Sequence, residues 1–308
     1  MIMELYSTTT RIAYLIWATI MLLTGVPGNC VIIFTILRSK RLRNIHDILV
    51  VLLAVIDILL IGYMLPFNMY ILITNVTPGR IFCKINGMIC DSLFIWSIQF
   101  IMLIAVSRYV KICDGAKFNK IFKMKTVCLM VIIFFIIAFS FCLPLWFYDY
   151  LLIFDRTLHF CVFDRYGNKL YSLTLIVICL VLPISVTSIC YIKIYLYVRK
   201  SKNQLYKQWN NGLAMKKLRH EIMSLKPQFV VFVAYLVLYF PFALTSVVGD
   251  TSKDFPEDFH SIGIYMCYLS SCINIFIYGV LNQNMRDAFL ACIPLVRCQQ
   301  NNQVEPLS

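Results

Sequence analysis

The sequence has few charged residues, and acidic residues are the scarcest of them. Of the 308 residues only 14% are charged, with 15 Asp and Glu against 28 Lys and Arg. Soluble domains carry about 25% charged residues, so this composition excludes an ordinary water-soluble protein. Hydrophobic residues make up 60% of the chain and its mean hydropathy is +0.79. These values are typical of a membrane protein.

Residues for catalysis and metal binding are also scarce. The chain has four histidines, and the spacing of these residues matches no common metal site: His46, His159, His220 and His260. We find no combination of a nucleophile, a base and an oxyanion-stabilising group. Internal repeats of inverted topology, which many transporters contain, are also missing. We therefore expect a protein that is not an enzyme.

Seven apolar runs are long enough to cross a bilayer, which takes a helix of roughly 20 residues. They cover residues 12–37, 45–72, 82–107, 126–148, 170–198, 228–248 and 260–281. Because helices satisfy their own backbone hydrogen bonds in lipid, the sequence predicts an all-α protein, a bundle of seven transmembrane helices. The predicted parts are an N-terminal segment at 1–11, the bundle at 12–281, and an amphipathic helix with a tail at 282–308.

Positive charge is concentrated in one set of loops. Twenty of the 28 Lys and Arg follow the first, third, fifth or seventh span. The positive-inside rule therefore places these loops in the cytoplasm and the N-terminus outside. Residues 1–10 lack the features of a cleaved signal peptide, so we expect the first span to act as its own signal. Since the cations follow membrane orientation, the net charge of +13 does not indicate nucleic-acid binding.

Three residues on the predicted outer side are candidates for covalent modification. Asn75 begins an Asn-Val-Thr sequon for N-glycosylation. Cys83 and Cys161 lie in or beside the outer loops, where oxidation occurs. A disulfide between them would tie the loop before the fifth span to the third span, and two unpaired thiols are the alternative.

Asp57 is the clearest polar residue inside an apolar run. An unpaired carboxylate is unfavourable in lipid, which makes this residue a candidate functional site. Oxygens on the third and seventh spans would join it around a small hard cation such as sodium: Ser97, Ser270, Ser271 and Asn274. A hydrated polar cluster without an ion is an equally good interpretation.

Arg108 follows the long apolar run of the third span. A guanidinium costs roughly 2.5 kcal/mol or more at the bilayer centre, so we expect it at the cytoplasmic boundary. It is either an anchoring cation or a switch that holds the inner ends of several helices together. Pro241, inside the sixth span, is expected to bend that helix next to Tyr239. Tyr239 is either a side chain that changes rotamer as the helix moves or part of ordinary aromatic packing.

These motifs together resemble the rhodopsin-like G-protein-coupled receptors over nearly the whole chain. The matching segments, in order, are Gly28-Asn29, Leu53 to Asp57, Cys83 with Cys161, Ser107-Arg108-Tyr109, Pro183 with Tyr191, Tyr239-Phe240-Pro241, and Asn274 to Tyr278. The nearest branch is that of the melatonin receptors. It is indicated by Leu42-Arg43-Asn44, by Arg108 to Cys113, and by Tyr278 to Arg286.

The resemblance implies a plasma-membrane receptor that converts binding of an extracellular ligand into activation of a heterotrimeric G protein. It implies that Arg108 faces the G protein when the sixth span moves outward, and that Glu221 is the partner of Arg108 in the inactive state. Other residues of the same switch are Tyr109, Tyr191, Tyr239, Pro241 and Tyr278. The implied allosteric sodium site consists of Asp57, Ser97, Ser271 and Asn274.

Several residues differ from those that the family usually has at the switch and at the ligand-binding site. Ser107 replaces the usual acidic residue before the arginine, so more weight falls on Glu221. Leu145 and Arg165 stand where the melatonin branch has an asparagine and a glutamine for its ligand. These differences make melatonin a doubtful ligand, and a peptide or other polar ligand is the alternative. Asp91 would contact such a ligand or, equally, pair with a cation of a loop. The expected pocket is formed by Cys90, Asp91, Phe163, Arg165, Tyr239 and Tyr265.

The segment after the seventh span is amphipathic from Asn284 to Leu290, and we expect it to lie along the inner membrane surface. Cys292 and Cys298 follow it as candidate palmitoylation sites. The alternative function is a seven-helix transporter or channel with Asp57 in the ion path. The cationic inner loops and the lack of inverted repeats favour the receptor.

Overall fold

The computed structural model describes residues 8–42, 44–148, 152–155, 160–163, 168–207, 212–248 and 257–292. Within them, seven helices are long and apolar enough to cross a membrane, which confirms the predicted bundle. Four are α1 (Thr8–Arg38), α2 (Ile45–Thr74), α3 (Arg80–Cys113) and α4 (Met124–Phe147). The others are α5 (Lys169–Leu175, Ile176–Val181 and Leu182–Lys207), α6 (Gly212–Val248) and α7 (Glu257–Cys272 and Asn274–Leu281). The predicted helix after the bundle is α8 (Gln283–Cys292).

The helices extend beyond the apolar runs, mostly on the predicted cytoplasmic side. α3 continues to Cys113, α5 continues to Lys207, and α6 begins at Gly212 instead of residue 228. α1 begins at Thr8, so the end of the predicted N-terminal segment is helical. Adding a turn to an existing helix costs much less than starting one. A span can therefore continue into water as additional polar turns. The sequence analysis missed these turns because it looked for apolar runs.

Two of the prolines follow wide turns of π-helix. Leu60–Met64 is π-helical just before Pro66, and Ile176–Val181 is π-helical just before Pro183. Proline has no N–H to donate, and its ring crowds the preceding turn. A π turn gives the ring room, so the helix accommodates both prolines by widening just before them.

A β-hairpin covers the outer end of α3, and the sequence did not predict it. Its antiparallel strands are β1 (Leu152–Asp155) and β2 (Phe160–Phe163). Cys161 in β2 forms a disulfide with Cys83 at the start of α3, which confirms the predicted pair. A Cβ atom at Gly87 would lie 2.3 Å from Leu152 Cδ2 and 3.2 Å from the Cys161 carbonyl oxygen. The hairpin therefore packs this closely on α3 because residue 87 is glycine.

Candidate functional site

The candidate residues lie at three depths along α3. Arg108 is near the cytoplasmic end, Ser97 is in the middle, and Cys90 and Asp91 are in the outer half. α3 is the central helix and contacts α2, α4, α5 and α6. Each level therefore brings together side chains from several helices.

At the cytoplasmic level, Arg108 is only 4% exposed. It interacts electrostatically with Tyr191 of α5, Tyr278 of α7 and Asp47 of α2. The two tyrosines are those that the sequence grouped with Arg108. Asp47 was missed, although it and His46 are the first ionisable residues of the second apolar run. A carboxylate at that position was the available signal.

The other two predicted switch residues of this level are placed differently. Tyr109 faces α5, where Lys193 Nζ lies 5.6 Å from the centre of its ring. Glu221 lies on the inner extension of α6, and its side chain is outside the described part of the structure. The pairing of Glu221 with Arg108 therefore stays a prediction.

Ser107 connects α3 to α2. Its hydroxyl donates a hydrogen bond to the Ile104 carbonyl at 2.8 Å, and its Oγ lies 3.0 Å from His46 Nδ1. Because the hydroxyl proton is used on Ile104, His46 Nδ1 must be the donor in the second bond. The imidazole also stacks on Phe118 of the short helix Gly115–Ile121, with ring centres 5.0 Å apart. Ser107 thus links α3 to α2 directly and, through His46, to the short cytoplasmic helix. It does so as a neutral residue at the position where the family usually has an acidic one.

At the middle level, the predicted sodium-site residues meet in the bundle core. Asn274 Nδ2 donates a hydrogen bond to Asp57 Oδ2 at 2.6 Å. Asn29 Nδ2 donates to the Ser271 carbonyl at 2.9 Å, which adds α1 to the cluster. Ser97 Oγ lies 3.0 Å from the hydroxyl of Tyr235, a residue of α6 that sequence reasoning missed. Tyr235 precedes Tyr239 by one helical turn and so faces the same side of α6.

The oxygens of this cluster suit a small cation. Three of them are buried together in the core: Asp57 Oδ1, Ser271 Oγ and Asn274 Oδ1. The Ser271 hydroxyl lies beside the Asp57 carboxylate and the Tyr235 hydroxyl. Carboxylate, hydroxyl and amide oxygens are the ligands that hard cations prefer. The hydroxyl of Ser97 contacts Tyr235.

Tyr239 lies in an aromatic cluster between α3 and α6. Its ring stacks on Tyr235 at 5.2 Å and meets the edge of Phe94 at 6.2 Å. Pro241 follows two residues later within α6. The tyrosine is buried beside the proline, as the sequence indicated, and a movement of α6 would have to rearrange these ring contacts.

At the outer level, one group of predicted ligand residues faces α7. Cys90 Sγ lies 3.7 Å from the Tyr268 hydroxyl. Tyr265 donates a hydrogen bond to Asn68 Oδ1 at 2.7 Å, and its ring stacks on Tyr14 at 4.9 Å. Together these contacts join α1, α2, α3 and α7. The hydroxyl of Tyr265 is used in its hydrogen bond to Asn68.

Asp91 lies on a different side of α3. It interacts electrostatically with Cys142 of α4 and Tyr171 of α5, and its Oδ2 is buried with no hydrogen-bond partner among the described residues. The sequence analysis placed Asp91 and Tyr265 in one pocket. The structure places them on different sides of α3, so this part of the predicted pocket is wrong. Phe163 is in β2 with its side chain outside the described part, and Arg165 lies outside the described residues.

The predicted modification sites are at the ends of helices. Asn75 caps α2 in a left-handed conformation with φ 53°, and its side chain is exposed. Cys292 is the last residue of α8, with its side chain outside the described part, and Cys298 lies outside the described residues. Glycosylation and palmitoylation at these residues stay predictions.

Similarity to known proteins agrees with this arrangement. Residues 28–278 match the family described as 7 transmembrane receptor (rhodopsin family). The chain is 29% identical to melatonin receptor type 1C of Gallus gallus, covering 90% of this chain and 80% of that protein. It is 27% identical to melatonin receptor type 1B of Homo sapiens, covering 86% and 73% respectively. The chain therefore belongs to the rhodopsin family of G-protein-coupled receptors, as a multi-pass plasma-membrane protein related to the melatonin receptors.

Proposed function

We propose that this receptor binds an extracellular ligand that brings a hydrogen-bond donor to Asp91, and that it signals through a heterotrimeric G protein by way of Arg108. The observation that carries this proposal is the buried Oδ2 of Asp91, which no described residue hydrogen-bonds. Burying a carboxylate oxygen without a partner is unfavourable. A protonated amine or the N–H groups of a peptide would supply the missing bond.

Melatonin is a candidate because the relatives are named melatonin receptors, but the residues favour another ligand. By the family resemblance, Leu145 and Arg165 replace the two side chains that hold the polar groups of melatonin. Leu145 is fully buried and offers no hydrogen bond. A cation also gains the attraction between opposite charges, which the neutral N–H groups of melatonin do not supply.

The contacts inside the bundle supply a path from ligand to G protein. Three residues after Asp91 along α3, Phe94 contacts the ring of Tyr239 on α6. Tyr239 stacks on Tyr235, whose hydroxyl meets Ser97 beside the Asp57 cluster. A ligand that prefers one arrangement of these rings shifts the population of α6 positions by its difference in affinity for the two states. The cytoplasmic end of α6 then uncovers Arg108.

We further propose that sodium binds at the middle level and favours the inactive state. Asp57, Ser271 and Asn274 would hold the ion through three buried oxygens, Asp57 Oδ1, Ser271 Oγ and Asn274 Oδ1. The ion would supply positive charge that neutralises Asp57 in the bundle core. An agonist that favours the other state would then compete with the ion.

A nucleotide-exchange assay with a panel of Gα subunits tests the ligand proposal. Monoamines, cationic peptides, neutral peptides and melatonin are applied to surface-expressed receptor and to the Asp91→Asn variant. A charge-assisted hydrogen bond contributes about 1.5–3 kcal/mol, so Asp91→Asn should weaken a cationic agonist by roughly 10- to 150-fold.

The matched control is Asp114→Asn, which removes an acidic side chain from an exposed cytoplasmic turn. Its agonist potency should equal that of the wild type. An agonist whose potency is the same on wild type and Asp91→Asn would contradict the proposal. It would mean that Asp91 is paired within the protein, with Arg165 as the first residue to substitute.

A further inference from the structure

The buried arginine of α3 lacks the acidic neighbour that its family usually has. Ser107 stands directly before Arg108, and its hydroxyl is committed to Ile104 and His46. Arg108 itself is 4% exposed. A buried guanidinium requires a nearby negative charge or several hydrogen bonds. Among the side chains that the structure describes, Asp47 of α2 is the carboxylate that interacts with Arg108.

Asp47 is held in place at the start of its helix. It is 8% exposed, although it lies in the first turn of α2 near the predicted cytoplasmic boundary. Asn44 caps the helix by accepting a hydrogen bond from the Asp47 backbone N–H at 3.2 Å. The side-chain amide of Asn44 also donates to Asp47 Oδ2. These two bonds orient the carboxylate and leave its second oxygen for other partners.

The neighbouring residues bring Asp47 and Arg108 to the same place. His46 Nδ1 and Ser107 Oγ are 3.0 Å apart, so the residues just before Asp47 and just before Arg108 are in direct contact. Asp47 interacts electrostatically with Arg108 and with Tyr278. Tyr278 and Tyr191 interact with Arg108 in turn. Groups from α2, α3, α5 and α7 thus share one buried polar region.

We infer that Asp47 is the carboxylate that restrains Arg108 in the inactive receptor. The family usually has its negative charge at the residue before the arginine, whereas this receptor has it on Asp47, at the end of α2 that faces Arg108. At residue 107 itself, the Ser107 hydroxyl hydrogen-bonds His46 instead. This inference rests on the proposed signalling through Arg108. It makes α2 part of the restraint, so that the inactive state does not depend on an α3–α6 contact alone.

A purely local role for Asp47 predicts different behaviour. An acidic residue in the first turn stabilises a helix through the helix dipole and the cap. Asp47→Asn would then weaken α2, and a carboxylate placed elsewhere would not compensate. A restraint on Arg108 can instead be rebuilt by returning the charge to residue 107. The combination Asp47→Asn with Ser107→Asp therefore separates the two roles.

The test measures basal nucleotide exchange over a panel of Gα subunits at matched surface expression. Asp47→Asn should raise basal exchange about tenfold, which corresponds to about 1.4 kcal/mol. Adding Ser107→Asp should return it to the wild-type level, and Ser107→Asp alone should lower it. Asp114→Asn, the exposed control, should leave it unchanged. Basal exchange that Asp47→Asn does not raise, or that Ser107→Asp does not restore, would overturn the inference.

A second readout does not depend on the G protein. Fluorescent non-natural amino acids at Leu213 of α6 and Lys125 of α4, both exposed, report the distance between the inner ends of these helices. Asp47→Asn should shift this distance to longer values, and Ser107→Asp should reverse the shift. If no Gα responds to any variant while the distance still shifts, the proposed coupling fails and the restraint stands. An unchanged distance in Asp47→Asn rejects the restraint even if the receptor couples. If Asp47→Asn alone does not reach the surface, the double variant with Ser107→Asp is compared with Ser107→Asp alone. Higher basal exchange and a longer distance in the double variant support the restraint by Asp47, and equal values in the two overturn it.

Discussion

Asn274 donates a hydrogen bond to Asp57 across 2.6 Å, although the two residues lie 217 positions apart in the sequence. The bond joins α7 to α2 in the middle of the membrane. Asn29 adds α1 through the Ser271 carbonyl, and the Ser97–Tyr235 contact joins α3 to α6 alongside. Five of the helices thus meet in one polar core, and a change in that core reaches most of the bundle.

We predict that sodium stabilises this core through Asp57. Thermal unfolding of purified receptor should occur at a higher temperature in sodium chloride than in choline chloride of equal ionic strength. Asp57→Asn keeps the shape and an acceptor for Asn274 but removes the charge that holds the ion, so the difference should vanish. A sodium-dependent shift of the same size in Asp57→Asn would rule the site out.

Arg108→Ala should lower both basal and ligand-stimulated nucleotide exchange by tenfold or more at equal surface expression, a loss of about 1.4 kcal/mol of coupling. The reason is that the guanidinium is proposed to contact the G protein once α6 moves outward. Arg38→Ala is the matched control, because Arg38 is a cytoplasmic arginine at the end of α1 that lies 5.9 Å from the Phe34 ring. Normal exchange in Arg108→Ala would remove this residue from the switch.

Glu221→Ala should raise basal exchange by removing the predicted α6 partner of Arg108. Asp47 is proposed to restrain the same guanidinium from α2. In the variant that carries both Glu221→Ala and Asp47→Asn, the combined effect should therefore differ from the sum of the two single effects, as expected of residues that share a partner. The control is Met223→Ala, because the side chain of Met223 is exposed and lies on the same part of α6. Basal exchange equal to that of the wild type would leave Asp47 as the principal restraint.

Tyr235→Phe should loosen α6 from α3 by removing the hydroxyl that meets Ser97. The ring would still stack on Tyr239, so the change is confined to the contacts of the hydroxyl, in which one hydrogen bond contributes about 0.5–1.5 kcal/mol. Ser97→Ala should shift the thermal midpoint by a similar amount, and the double variant should be no worse than either single one. Fully additive shifts would show that the two hydroxyls act independently.

Gly87→Ala should destabilise the outer end of the receptor by about 1–3 kcal/mol through overpacking. The added Cβ would lie 2.3 Å from Leu152 Cδ2, so the hairpin must move away from α3. Faster reduction of the Cys83–Cys161 disulfide by a mild thiol would report that movement. Leu152→Ala in the same chain should restore part of the loss. An unchanged reduction rate and midpoint would mean that the hairpin yields without strain.

Composition and periodicity were enough to predict the bundle, since spanning lipid imposes length and apolarity on every helix, and both can be counted along the chain. Cation placement likewise gave the orientation. The helical extensions of α3, α5 and α6 were missed because they lie beyond the lipid, where those constraints no longer apply. The hairpin was missed because its short strands are defined by pairing with each other.

The sequence by itself determined the seven spans and the polar residues that needed partners, because burial of charge and polar groups in lipid is costly wherever it occurs. It proposed the Cys83–Cys161 pair, and the structure decided for it over two unpaired thiols. Which partners they found was decided only by the tertiary structure. The sequence analysis did not single out Asp47. Its interaction with Arg108 depends on the packing of α2 against α3. Tyr235 became part of the polar core only when α6 faced Ser97. Partner choice depends on the rotation and depth of each helix against its neighbours, and these are set by packing across the whole bundle.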